Sequence, residues 1–167
     1  MKRTISIGLS LLLLAVLCAC SQQAKKQQNL GSLLPKSIGE WQQVQLVTGT
    51  EVLEKINSLH GKDIIVEAGA IGTYQLTGKR PAMIWISRSK TADLTREQAE
   101  VMVDKMVSNP RSPFHDPETF ISNKIKVYKF FGMGQVHYIF CQEQLGYWIS
   151  APPEDGENLL LYFLKNG

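Results

Sequence analysis

The chain has 167 residues, 44% of them hydrophobic, with 18 Lys and Arg against 15 Asp and Glu. That is enough apolar chain for one ordinary core, and too even a charge balance for the clustered basic face of a nucleic-acid binder. A basic amphipathic helix for acidic membranes is missing as well.

The N-terminus reads as an export signal. Lys2 and Arg3 supply positive charge, Ile5 to Leu17 are apolar, and Leu17-Cys18-Ala19-Cys20 closes the segment with small residues and cysteines. The apolar run is about 13 residues, short of the ~20 that a spanning helix needs. Its ending resembles the bacterial lipobox. The resemblance implies cleavage after Ala19, a diacylglyceryl group on Cys20 with further acylation of the new amino end, and a stable hold on the membrane. Ser21 lacks the Asp linked with inner-membrane retention, which favours the outer membrane where a cell has two. Loss of residues 1–19 takes Lys2 and Arg3 with it and leaves 16 basic residues against 15 acidic ones. Cys141 is then the single free thiol, so no internal disulfide forms and stability must come from packing.

Residues 20–33 are polar, rich in Gln and without periodicity, and read as a tether spanning roughly 20 Å as a coil. A domain over 34–167 follows. Val44 to Val47 fit a short strand, and Val52, Leu53, Ile56 and Leu59 recur at helical spacing with Gly61 as a C-terminal cap. Residues 62–68 fit helix or strand. Gly72 to Thr77 and Ala82 to Ser87 flank the turn cluster Gly78-Lys79-Arg80-Pro81 and predict a hairpin. Thr95 and Gln98 have the spacing of a capping box. Ala99, Met102, Val103 and Met106 then form one apolar stripe, ended by Asn109-Pro110. After a loop containing Pro110, Pro113 and Pro117, strands are expected at Thr119–Ser122, Ile125–Phe131, Gln135–Gln142 and Tyr147–Ser150. A terminal helix over 154–164 would bury Leu159, Leu160, Phe163 and Leu164. The sum is an α+β domain, an antiparallel sheet covered by two to three helices. Trp85-Ile86-Ser87 recurs as Trp148-Ile149-Ser150, which fits a duplicated β-β-α unit and fits coincidence equally well.

No catalytic constellation emerges. His137 and Cys141 share a strand face but stand about 13 Å apart, too far to bind one metal or pair with each other. His115-Asp116 lacks a third ligand nearby, and Asp116 suits a turn. Gly132-Met133-Gly134 precedes a strand rather than a helix, so it suits a hairpin turn better than a phosphate cradle. Ser87 and Ser150 lack the glycine-flanked elbow of a hydrolase nucleophile. No cofactor or metal set is indicated. The aromatic group Trp85, Tyr128, Phe130, Tyr138, Tyr147 and Trp148 is core by default. Within it, Trp85, Tyr147 and Trp148, with His137, form the candidate binding surface.

The stretch Gly132-Met133-Gly134-Gln135-Val136-His137-Tyr138-Ile139-Phe140 with Tyr147-Trp148-Ile149-Ser150-Ala151-Pro152-Pro153 resembles a family of uncharacterised bacterial exported proteins, a domain of unknown function. Ile56-Asn57, the Ala82 to Ser87 strand and the Met102 to Val107 helix end extend the likeness over most of residues 40–164, with a departure near Gly61 to Gly69. The resemblance implies one α+β domain and an envelope address, and no activity. The leading expectation is a non-enzymatic binding or accessory protein in an envelope complex. A carrier or sensor of an apolar small ligand or lipid comes second. An enzyme using His137, Cys141 or His115 comes third, and would need two of them to converge.

Overall fold

The computed structural model describes residues 29–60 and 66–166. The leader, Cys20, most of the tether, the Leu59 side chain and the Gly61 cap lie outside the described residues. Eight strands form one antiparallel sheet in the order β1-β2-β3-β4-β8-β7-β6-β5. They are β1 (Ser37–Ile38), β2 (Trp41–Thr48), β3 (Ala68–Gln75), β4 (Ala82–Arg88), β5 (Phe114–Ser122), β6 (Ile125–Gly132), β7 (Gln135–Gln142) and β8 (Leu145–Ala151). Three helices cover it: α1 (Thr50–His60), α2 (Ala92–Ser108) and α3 (Gly156–Asn166).

Strand alternation sorts the side chains onto two faces. One face carries Ile71, Met83, Trp85, Trp148, His137, Ile139 and Phe130. Here α1 packs Val52 and Ile56 against Val47 and Ile71, and α2 packs Ala99 against Phe130 and Ile139. The other face carries Ala70, Tyr74, Ile84, Ile86, Val136, Tyr138, Phe140, Tyr147 and Ile149, covered by Leu159, Leu160, Phe163 and Leu164 of α3. These are the four helix residues the spacing predicts. Strand β7 is buried on both faces from Val136 to Phe140, which is why it reads as an apolar run broken only by His137 rather than as an alternation.

Close approach of helix to sheet depends on two glycines. A Cβ on Gly69 would lie 2.6 Å from Ile56 Cδ1, and one on Gly156 would lie 2.3 Å from Val136 Cγ1. Small residues at these points let α1 and α3 settle onto the strands.

Several boundaries differ from expectation for local reasons. The folded chain takes in residues ahead of 34: Leu30–Leu33 form a 3-10 turn, and Leu30 and Leu34 join the core. Tyr74 Oη donates to Pro35 O at 2.8 Å and Gln43 Nε2 to Leu34 O at 3.3 Å, tying this segment to the sheet. Helix α2 starts one turn early. Its cap is Thr91, whose Oγ1 accepts from Leu94 N at 3.1 Å, while Thr95 lies inside the helix and bonds back to Thr91 O. Gln98 accepts from Ser89 Oγ instead of closing a box. Strand β5 begins at Phe114 and runs through Pro117, because at the sheet edge it pairs only with β6 and a missing N–H costs nothing there. A register irregularity between His115 and Glu118, with Asp116 at φ 50°, absorbs the proline.

The two Trp-Ile-Ser copies meet at the sheet centre, where β4 pairs with β8 and Trp85 lies opposite Trp148. The helices that follow them, α2 and α3, lie on opposite faces. A rotation that exchanges neighbouring antiparallel strands would keep their helices on one face.

Candidate functional site

Two of the side chains predicted as a binding surface stand side by side. Trp85 and Trp148 are cross-strand partners and both are half-buried. Between α1 and α2, a slot of about 60 Å³ is bordered by Ile56, Ala99, Met102 and the two tryptophans. On the other side of the pair, a half-open groove of about 220 Å³ is lined by Pro81, Met83, Trp85, Met133, Gln135, His137, Trp148 and Ser150.

Register builds the groove floor. Met83 lies opposite Ser150, Ser150 opposite His137, and His137 opposite Phe130, so one transverse row crosses four strands. The small Ser150 leaves room between Met83 and His137. The β6–β7 turn closes the end of the row with Met133 at φ 53° and Gly134 at φ 71°, the hairpin geometry expected for this glycine-rich stretch. Arg80 donates to Met133 O and Gln135 Nε2 donates to Pro81 O at 2.9 Å, fastening that turn to the β3–β4 turn.

His137 is buried, with 1% of its surface exposed, and both ring nitrogens are engaged. Nε2 lies 3.0 Å from Gly132 O. A carbonyl only accepts, so Nε2 carries the proton and Nδ1 offers its lone pair. That lone pair accepts from Trp148 Nε1 at 3.2 Å and faces Ser150 Oγ at 2.9 Å. Phe114 packs edge-on against the imidazole at 5.0 Å. Burial holds the imidazole below its usual range, opposed in part by the bond to Gly132. A neutral ring of fixed tautomer results.

Tyr147, the fourth predicted surface residue, is not at this site. It occupies the opposite face, 2% exposed, stacked on Phe140 at 4.7 Å. The odd step from Trp148 to Tyr147 along the strand puts the two rings on different sides of the sheet. The Tyr147 hydroxyl has no hydrogen-bond partner among the described residues. Tyr147→Phe is therefore expected to raise stability by about 1 kcal/mol, or leave it unchanged, in urea unfolding. A loss of more than that would reveal a partner for the hydroxyl.

Tyr138 is core on the α3 side, and Phe130 is core beneath α2, with Tyr128 partly buried beside it. The remaining titratable candidates do not join His137. Cys141 Sγ lies 3.6 Å from Thr95 O under α2, and burial pushes its thiol up to about 11, away from thiolate chemistry. His115 is exposed on β5, 2.8 Å from Asp116 Oδ2 and stacked near Phe131. Ser87 Oγ reaches Gly146 O at 3.5 Å. Among the described residues no three His, Cys, Asp or Glu side chains converge as a metal site.

Met83, Met133, Gln135 and Ser150 were missing from the sequence-based site. Period-2 spacing from Trp85 to Met83, and from Trp148 to Ser150, is the signal that places each pair on one face. Met133 carries a different one: an apolar residue in a tight turn where Asn, Asp or Gly is usual.

The chain matches no family model and no curated protein. Among solved structures it is similar to a chain from Thermotoga maritima described as a GTP binding regulator, at 7% identity and a TM-score of 0.47, over 81% of this chain and 80% of that one. A likeness of this degree carries no argument about activity.

Proposed function

We propose that this chain is a lipid-anchored bacterial envelope protein, held through Cys20, that serves without catalysis as a binding or accessory component of an envelope complex. Its contact site is the groove beside Trp85 and Trp148. The observation that carries the reading is the placing of Trp85, Trp148 and the 58% exposed Met133 around one half-open groove at the sheet centre. Apolar side chains gathered at an accessible concavity are the ordinary mark of a binding surface. The outer membrane is the favoured address, on Ser21 following the cysteine.

In-cell crosslinking through a photoreactive residue at position 133, followed by affinity purification and mass spectrometry, tests this. One dominant envelope partner is expected, reduced in Cys20→Ala, which loses the tether. Recovery of no enriched partner, or equal recovery from Cys20→Ala, would count against the accessory role. The second reading, a carrier of an apolar small ligand or lipid, is favoured by the apolar groove walls and weakened by their openness. It predicts a co-purifying small molecule in native mass spectrometry.

A further inference from the structure

The two edges of the sheet are finished differently. Strand β5 carries exposed His115, Asp116 and Glu118, a proline and a register irregularity, all devices that keep an edge from pairing. Strand β2 is paired by β1 only at Trp41 and Gln42, and Gln43 N donates to Lys36 O at 2.8 Å. From Val44 to Thr48 no strand lies beyond it among the described residues. Residues 41–50 contain no charge, and Val44 and Leu46 stand 63% and 44% exposed. A bulge between Gln43 and Gln45 is the one protective device on this side. An uncharged edge with apolar side chains standing out from it calls for a cover.

We propose that the lipid bilayer is that cover: β2 rests edge-on at the head groups, with Val44 and Leu46 entering the interface. The inference rests on the anchoring proposed at Cys20 and names the surface that meets the membrane. The point where the chain enters the fold favours this occupant. Eight residues separate Cys20 from Asn29, so even fully extended, at ~3.3–3.6 Å per residue, they keep Asn29 within about 30 Å of the lipid attachment. Asn29 and Leu30 border a recess together with Thr48, Gly49 and Leu53, and a Cβ on Gly31 would lie 3.2 Å from Leu46 Cδ2. The anchored chain therefore joins the domain beside the C-terminal half of β2. Ile121, 68% exposed on β5, lies six strand spacings away, roughly 29 Å. Apolar exposure alone does not distinguish the two edges; proximity to the anchor does. Lys36 and Lys55 are offset by Glu40, Glu51 and Glu54, and Lys55 already pairs with Glu51 at 3.0 Å, so the attraction is apolar rather than ionic. The contact is shallow. Hydrocarbon cannot satisfy the free backbone groups of an edge strand, whereas head-group oxygens and water can. Two side chains bind weakly by themselves, but the anchor makes their contact intramolecular and raises its effective concentration.

The test uses the mature protein extracted from cells and reconstituted in phosphatidylcholine vesicles. Cys141→Ala is combined with Val44→Cys, Leu46→Cys or Ile121→Cys, and the new thiol carries an environment-sensitive fluorophore. Labels at 44 and 46 are expected to shift to the blue, to lose quenching by aqueous iodide and to gain quenching by nitroxide lipids. The label at 121 should do none of these. Equal behaviour at all three positions overturns the proposal. So does shielding at 44 and 46 that ignores the nitroxide lipids and grows with the number of proteins per vesicle, since a second copy then covers the edge. Mass spectrometry of the N-terminal peptide separates this inference from the anchoring it rests on. Acylated Cys20 without shielding at 44 and 46 removes the membrane-facing edge alone, while Cys20 without acyl chains removes the anchor and the edge contact together.

Discussion

Phe163→Ala is expected to destabilise the domain by about 3–5 kcal/mol, a large share of the roughly 5–15 kcal/mol typical of a folded domain. Phe163 is 2% exposed on α3 and sits against Tyr147 at a ring separation of 6.1 Å. Around it lie Tyr138, Phe140, Ile149, Leu159 and Leu160, all buried. Truncation would leave a cavity between α3 and strands β7 and β8, and the sheet cannot collapse into it without breaking register. Urea unfolding followed by tryptophan fluorescence measures this directly. An unchanged midpoint would mean that α3 unfolds separately from the sheet and contributes nothing to the cooperative core.

His137→Phe is expected to cost about 1–3 kcal/mol at pH 7 and to change the pH dependence of what remains. The substitution keeps aromatic volume against Phe114, but leaves the buried Gly132 carbonyl without its ring donor. The pH effect follows from the direction of the histidine shift. Burial lowers the folded-state value below 6.5, so the unfolded chain takes up a proton first as pH falls. The contribution of His137 to stability is therefore complete above about pH 6.5 and declines as pH drops from there toward the lower folded-state value. A proton on Nδ1 would also face the Trp148 N–H, replacing an attraction with a clash of donors. Unfolding midpoints at pH 5, 6, 7 and 8 should fall toward acid in the parent chain and lose that decline in His137→Phe. Parallel profiles would mean that other groups set the acid sensitivity.

Much of the fold was legible in the sequence. The α3 residues, the α2 stripe, the β3–β4 turn and the three hairpin strands β6 to β8 all follow from local spacing and turn chemistry. The misreadings share a cause. Thr95-x-x-Gln98 matches a capping box, yet Thr91 caps the helix, because Ser89 and Thr91 are placed by the end of β4. Pro117 reads as loop because a proline is excluded from a central strand, and only sheet order makes β5 an edge. Leu30 lies in a polar stretch whose burial depends on the far side of β3.

The site divides in the same way. His137, Trp85 and Trp148 were identifiable as residues, and their faces were identifiable from period-2 alternation. Which residues become neighbours across strands was not, since register is fixed by pairings such as β4 with β8 that join positions about 60 residues apart in the chain. Sequence alone therefore determined the α+β class and the polarity of each element, because those depend on composition and local period. The tertiary structure alone decided that Tyr147 turns inward, that Ser150 and Gly132 fix the His137 tautomer, and that Met83 and Met133 share its groove. Non-local pairing, which no local pattern encodes, brings those atoms together.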